Sequence, residues 1–308
     1  MDAEGRSGFA GALRYDGLFW RRLAYLGSVY GPEWWRRGSP PVIAALLFAL
    51  IGRNRRAVIE NLRQVHGSRG FVRDHREALR TFVEFAYVFE ETLEAEGHDV
   101  HGAELDEKLD LDIRVPPGFD PNALFEGDRG LVVLTSHFGS WEIGARVMQK
   151  LDRPVNLVMA TEANRTVERF NTSKRERHGL RVIHSDSSLF ASVEMIRALR
   201  RGEIVAIQLD RAGPGQVTRA VEFFGKPAEF QVGPFALARA ADVPLWPVFV
   251  ARLGRRVFDF LPEPTRRIPR GASDEELFAV MRDVVRSFEG HVRAHPHQWF
   301  QFHRVWGT

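Results

Sequence analysis

His137 and Glu142 stand five positions apart in Leu131–Gly144, LVVLTSHFGSWEIG, as an H-x4-E pair. An imidazole titrates near neutral pH and can take a proton from a hydroxyl or amine as it attacks a carbonyl. A carboxylate on the other ring nitrogen would fix the tautomer and stabilise the imidazolium that forms. Glu142 is expected in the first turn of a helix, where its charge is favoured. The same spacing also fits a histidine at a turn followed by a helix-start glutamate, so taken alone it leaves both readings open.

Other residues could join that chemistry. Lys174, Arg175 and Arg177 form a positive cluster downstream, suited to phosphate through bidentate guanidinium contacts or to a solvated helix face. Asp210 and Arg211 end an apolar run, the same kind of position as His137. They are therefore expected at the same pocket, or else as a structural ion pair. Ser140 sits in F-G-S-W-E and not G-x-S-x-G, which excludes a nucleophile elbow. Glycines 213, 215 and 225 give neither a G-x-G-x-x-G nor a P-loop fingerprint. Pro296 interrupts the C-terminal histidines 291, 295, 297 and 303, and no H-E-x-x-H occurs, so no metal site is expected. The absence of cysteine removes disulfides, thiolate ligands and a cysteine nucleophile.

The elements that must position these side chains alternate in type. Leu131–Leu134 is a continuous apolar run ending in turn residues, the pattern of a strand covered on both faces. Gly139 permits a sharp turn, and Ser140 is placed to cap the following helix. Strands are predicted at Val155–Met159, Arg181–Ile183, Ile204–Leu209, Val221–Phe224, Pro244–Val250 and Arg255–Leu261. Helices are predicted at Ala163–His178, Leu189–Arg201 and Val232–Ala241, with a last one after the Ser273/Glu276 capping box. This predicts an α/β fold with a mixed, largely parallel central sheet and helices on both faces. Before the sheet, Arg53–Gln64 and Arg73–Glu96 read as helices; the Phe82, Phe85, Phe89, Leu93 stripe of the second is expected to be core.

Residues 1–60 carry nine arginines against five acids, while the whole chain is only +3. The longest apolar stretch, Pro40–Ile51, has 12 residues, too few to span a bilayer. Trp20, Trp34, Trp35 and several arginines flank it. Rings and guanidinium groups beside an apolar run suit the lipid headgroup layer better than the alternative, a buried helical hairpin with a solvated basic edge. Two parts follow: a membrane-associating helical segment, 1–56, attached in a peripheral or re-entrant manner, and a catalytic domain, 57–308. No cleavable signal is expected, because Asp2 and Glu4 precede any apolar run.

Taken together, SHFGSWEIG, R-E-R before Gly179, IRALRRGEIVAIQLD (196–210), residues 221–252 and the terminal HPHQWFQFHRVW resemble the late lauroyl/myristoyl acyltransferases of lipid A biosynthesis. These form a branch of the glycerolipid acyltransferase superfamily. The resemblance implies an enzyme at the cytoplasmic face of the bacterial inner membrane. It would move an acyl group from acyl carrier protein or coenzyme A to a glycolipid hydroxyl, with no cofactor and no nucleic-acid partner. It makes His137 the base and Glu142 its partner, with Arg175 and Arg177 on substrate phosphate and Asp210 the acid of a second motif. Ser140, Trp141 and Arg211 complete the expected substrate contacts, and Ser140–Trp141 amides the expected oxyanion donors. Arg197, Arg200 and Arg201 are candidate contacts for an acidic carrier protein. The family commonly has Asp-Gln where this chain has Asp210–Arg211, and its membrane segment is usually longer. A thioesterase using the same pair on water, and an inactive lipid-binding protein, are the competing functions.

Overall fold

A computed structural model describes residues 18–98, 102–125, 127–151, 153–161, 172, 175–176, 179–185, 189–213 and 215–306. The predicted helix Ala163–His178 falls almost wholly outside them, as do Lys174 and Arg177.

The sheet is built around β2 (Leu131–Thr135), whose alternation serves two cores at once. Val132 and Leu134 face one apolar layer, with α7 (Leu189–Arg200), α8 (Gly233–Ala241) and α9 (Asp274–Ala294). Leu131 and Val133 face the other, with Ile143, Ala145 and Met148 of α6 (Trp141–Gln149). With both faces covered, an unbroken apolar run is what the strand requires. The predicted fold class is what is found: a sheet in the order β1-β9-β8-β2-β5-β3-β4. After a short helix, α5 (Gly102–Leu109), come its other members: β1 (Asp112–Arg114), β3 (Val155–Met159), β4 (Leu180–His184), β5 (Ile204–Gln208), β8 (Leu245–Gly254) and β9 (Val257–Pro262). All neighbours are parallel except β8 and β9.

Beside it, β6 (Thr218–Phe223) and β7 (Lys226–Gln231) make a separate antiparallel hairpin. Sequence reading missed β7, because Pro227 and Glu229 in KPAEFQ disguise its alternation. Phe224 and Gly225 turn the hairpin with positive φ.

The N-terminal helices α1 (Leu18–Tyr30) and α2 (Glu33–Leu50) pack against α4 (Phe71–Glu96). Helix α3 (Gly52–His66) runs through the expected boundary at residue 56. Ala44, Ile59, Leu62, Ala78 and Phe82 form a satellite core there. The outer face is apolar: Trp34, Val42, Leu46 and Leu50 are 73%, 68%, 58% and 71% exposed. Among the described residues no helix is long and apolar enough to cross a membrane. Ion pairs tie α4 to the β8–β9 hairpin: Arg252 to Glu91 at 2.9 Å, Arg255 to Glu90 at 3.1 Å, Arg256 to Glu94 at 2.7 Å. The aromatic stripe on α4 is core only at its ends. Phe82 and Leu93 are buried, but Phe85 and Phe89 are about two-fifths exposed and stack on each other.

Candidate active site

β2 and β5 pair in parallel with Thr135 opposite Gln208, a separation of 73 positions. Continuing that register two residues beyond the strands sets His137 opposite Asp210, at the carboxyl edge where open α/β sheets bind ligands. The expectation that Asp210 shares His137's corner is therefore met, and the contact is closer than expected. His137 Nδ1 lies 2.9 Å and its backbone N–H 3.0 Å from Asp210 Oδ1. Trp299 Nε1 donates to Oδ2 at 3.3 Å.

This corrects the assignment of Glu142 as the carboxylate on the ring. Gly139 adopts φ +53, and Ser140 N–H donates to Val250 O at 3.0 Å, so the chain turns before α6 starts. Glu142 then meets Arg175 Nη2 at 3.4 Å. A Cβ on Gly139 would stand 1.8 Å from Val250 O, so only glycine fits this turn. Arg177, expected beside Arg175, lies outside the described residues.

Ser140 occupies the N-cap position, but its hydroxyl makes no cap bond and is buried without a partner. The side chain is buried. Its amide is engaged by Val250 and so is not an oxyanion donor, a second correction. The first-turn amide of Trp141 has no acceptor within the helix and retains that capacity. Trp141 itself is half-buried.

Asp210 is fully buried. Burial works against its charge, but attraction to His137 when the ring is protonated, the ring hydrogen bond and the nearby Arg211 outweigh it and hold its carboxyl below the usual range. Arg211 donates from Nη2 to Phe300 O at 2.5 Å and from Nε to Gln301 Oε1 at 3.0 Å. Burial lowers its guanidinium pKa, and Asp210 opposes that. With Asp210 ionised, Nδ1 is the protonated ring nitrogen and Nε2 presents a lone pair to solvent. The side chain is 23% exposed, and no described residue occupies Nε2. Such an imidazole is a poised proton acceptor.

Sequence reading missed the C-terminal segment as part of the site. Phe300 N–H donates to His137 O at 2.8 Å and Gly139 N–H to Gln298 O at 2.8 Å. Local spacing carries no signal for a partner about 160 positions away. Arg197, Arg200 and Arg201 lie at the amino end of β5, the opposite edge of the sheet from Asp210, and Arg201 is paired with Glu203 at 2.7 Å. They do not face the His137 corner.

A family model described as bacterial lipid A biosynthesis acyltransferase matches residues 13–308. The chain belongs to that family. It is an acyltransferase, as the resemblance implied. Among solved structures, the 1-acyl-sn-glycerophosphate (LPA) acyltransferase PlsC from Thermotoga maritima is similar, at 19% identity and a TM-score of 0.40. The match covers 82% of this chain and 96% of that one. Among proteins of curated function, none matches.

Proposed function

We propose that this acyltransferase moves a fatty acyl chain from an acyl thioester, on acyl carrier protein or coenzyme A, to a hydroxyl of a glycolipid such as a lipid A precursor. The observation that carries the reading is the His137 ring, gripped at Nδ1 by the buried Asp210 with Nε2 left open. Nε2 takes the acceptor proton as the hydroxyl oxygen attacks the thioester carbonyl. The new C–O bond forms, the C–S bond breaks, and the imidazolium returns the proton to the departing thiolate. No acyl-enzyme and no resident cofactor is needed. We assign stabilisation of the oxyanion to the first-turn amide of Trp141. Arg175, oriented by Glu142, and Arg211 supply cations at this edge for phosphate on acceptor or donor.

An apolar path leaves the same corner. Phe300, bonded to His137 through its backbone, packs edge-on to the exposed Phe85 at 5.3 Å, and Phe89 continues the surface along α4. We assign the acyl chain to it. The exposed apolar face of α2, with Trp34 and Trp35 at one end, suits peripheral attachment at the cytoplasmic face of the inner membrane.

The test uses full-length protein with lauroyl-coenzyme A and lauroyl-acyl carrier protein in separate reactions, a lipid A precursor in detergent, and mass spectrometry of the lipid. The expected product is heavier by one acyl group, and His137→Ala abolishes it without lowering the melting temperature. Donor consumed without acylated lipid identifies a thioesterase instead. Near-wild-type turnover by His137→Ala removes the proposed mechanism, and no turnover of any donor leaves a lipid-binding protein.

A further inference from the structure

The C-terminal segment Gln298–Gln301 touches both halves of the His137–Asp210 pair. Its backbone runs beside 137–139, with a bridge between Phe138 and Trp299 flanked by the Phe300–His137 and Gly139–Gln298 hydrogen bonds. Its side chains reach the other strand end: Gln301 Nε2 donates to Asp210 O at 3.1 Å, and Trp299 Nε1 to Asp210 Oδ2 at 3.3 Å. Asp210 Oδ1 already takes two donors from His137. Among the described residues, Trp299 is the donor to the second oxygen, in a place without water access to satisfy it.

The indole is held where it is. It is 4% exposed and stands edge-on to Phe223 at 5.4 Å, Phe288 at 6.3 Å and Trp306 at 5.9 Å. A ring fixed on three sides fixes the direction of its N–H, and hence the plane of the carboxylate that accepts it.

We propose that Trp299 is a positioning residue of this acyltransferase, its indole N–H orienting the Asp210 carboxylate so that Oδ1 faces both donors of His137. The inference rests on the proposed role of His137 and Asp210. Phenylalanine keeps the backbone bonds and part of the ring packing but loses the N–H and leaves a cavity; a purely structural tryptophan would then cost melting temperature without moving the pH profile. Losing that donor leaves the carboxylate more basic and freer to turn. A more basic carboxylate holds the imidazolium more tightly, so more acid-side activity is lost.

The test is Trp299→Phe in the full chain, assayed with lauroyl-coenzyme A and lipid A precursor across pH. We expect kcat to fall about tenfold with KM within about twofold of wild type. The acidic limb of the kcat profile should move to higher pH. Wild-type kcat and an unmoved limb in a protein of unchanged melting temperature overturn the inference. His137→Ala run alongside separates the two failures. If it is inactive while Trp299→Phe behaves as wild type, only the role of Trp299 is lost; if it remains active, the underlying mechanism is. Should Trp299→Phe fail to fold, or the assay give no turnover, the measurement is NMR of full-length 15N-tryptophan protein. The Trp299 indole resonance should shift upfield in Asp210→Asn, and a resonance indifferent to that change overturns the inference.

Discussion

Replacing Asp210 by asparagine removes a charge while keeping size and an acceptor oxygen, which makes it the sharpest probe of which carboxylate serves His137. The carboxylate and ring approach to 2.9 Å between nearest atoms, so their charge centres in the imidazolium state are about 4 Å apart. At an effective dielectric of about 20 that attraction is worth about 4 kcal/mol. It exists only once the ring is protonated, so it acts on the transition state and not on bound substrate. Its loss predicts a fall in kcat of about a thousandfold with KM little changed. Glu142→Gln, by contrast, weakens the 3.4 Å contact to Arg175, while Asp210 keeps its hold on the ring. It should lower kcat/KM about a hundredfold, mainly through KM. The assay is initial-rate thiol release with matched lipid product, on variants whose melting temperatures equal wild type. Asp210→Asn within tenfold of wild-type kcat, or Glu142→Gln losing kcat as heavily at unchanged KM, refutes the assignment of Asp210.

Three further outcomes follow from the geometry. Burial, with Glu94 and Glu91 adding, pushes the Glu90 carboxyl up from 4.5 to about 7 against the pull of Arg255. A value raised on folding contributes stability below about pH 4.5 that is lost as pH rises through about 7. Glu90→Gln should therefore raise the melting temperature at about pH 8 and not at about pH 4; an equal shift at both would mean that ionisation of Glu90 is not the cause. Leu46→Asp with Leu50→Asp, both on the exposed face of α2, should abolish flotation with anionic liposomes while turnover of detergent-dispersed substrate persists. Equal flotation counts against membrane docking there. Gly139→Ala meets Val250 O at 1.8 Å from a φ of +53 and should lower the melting temperature by on the order of 5 °C or more; an unchanged value would mean the turn is not as described.

Much of this was legible from local pattern. The apolar run 131–134 declared a two-sided strand, and the capping box of Ser273 and Glu276 declared the start of α9, where both reciprocal bonds are present. Asp210 was recognisable as a site residue because it ends a second run of the same kind. What local spacing could not supply was the partner of His137. Glu142 is near in sequence, but the turn at Gly139 hands it to Arg175, while strand register brings in a residue 73 positions away. Trp299 was invisible as a contact for the same reason, being 89 positions from the carboxylate it meets. The exposed Phe85 and Phe89 were misread as core because periodicity reports which residues share a helix face and not whether anything covers it.

The matched offset of β2 and β5 has a consequence for how this chain can change its length. His137 and Asp210 each stand two residues past a paired strand end, so one residue inserted or deleted in either two-residue overhang would swing its side chain to the opposite side of the sheet and part the pair. The excursion between the two strands, through α6, β3, β4 and α7, carries no such constraint in its loops. Indels in related chains should therefore gather within that excursion and stay out of the overhangs, a length fingerprint detectable even where residue identity has drifted.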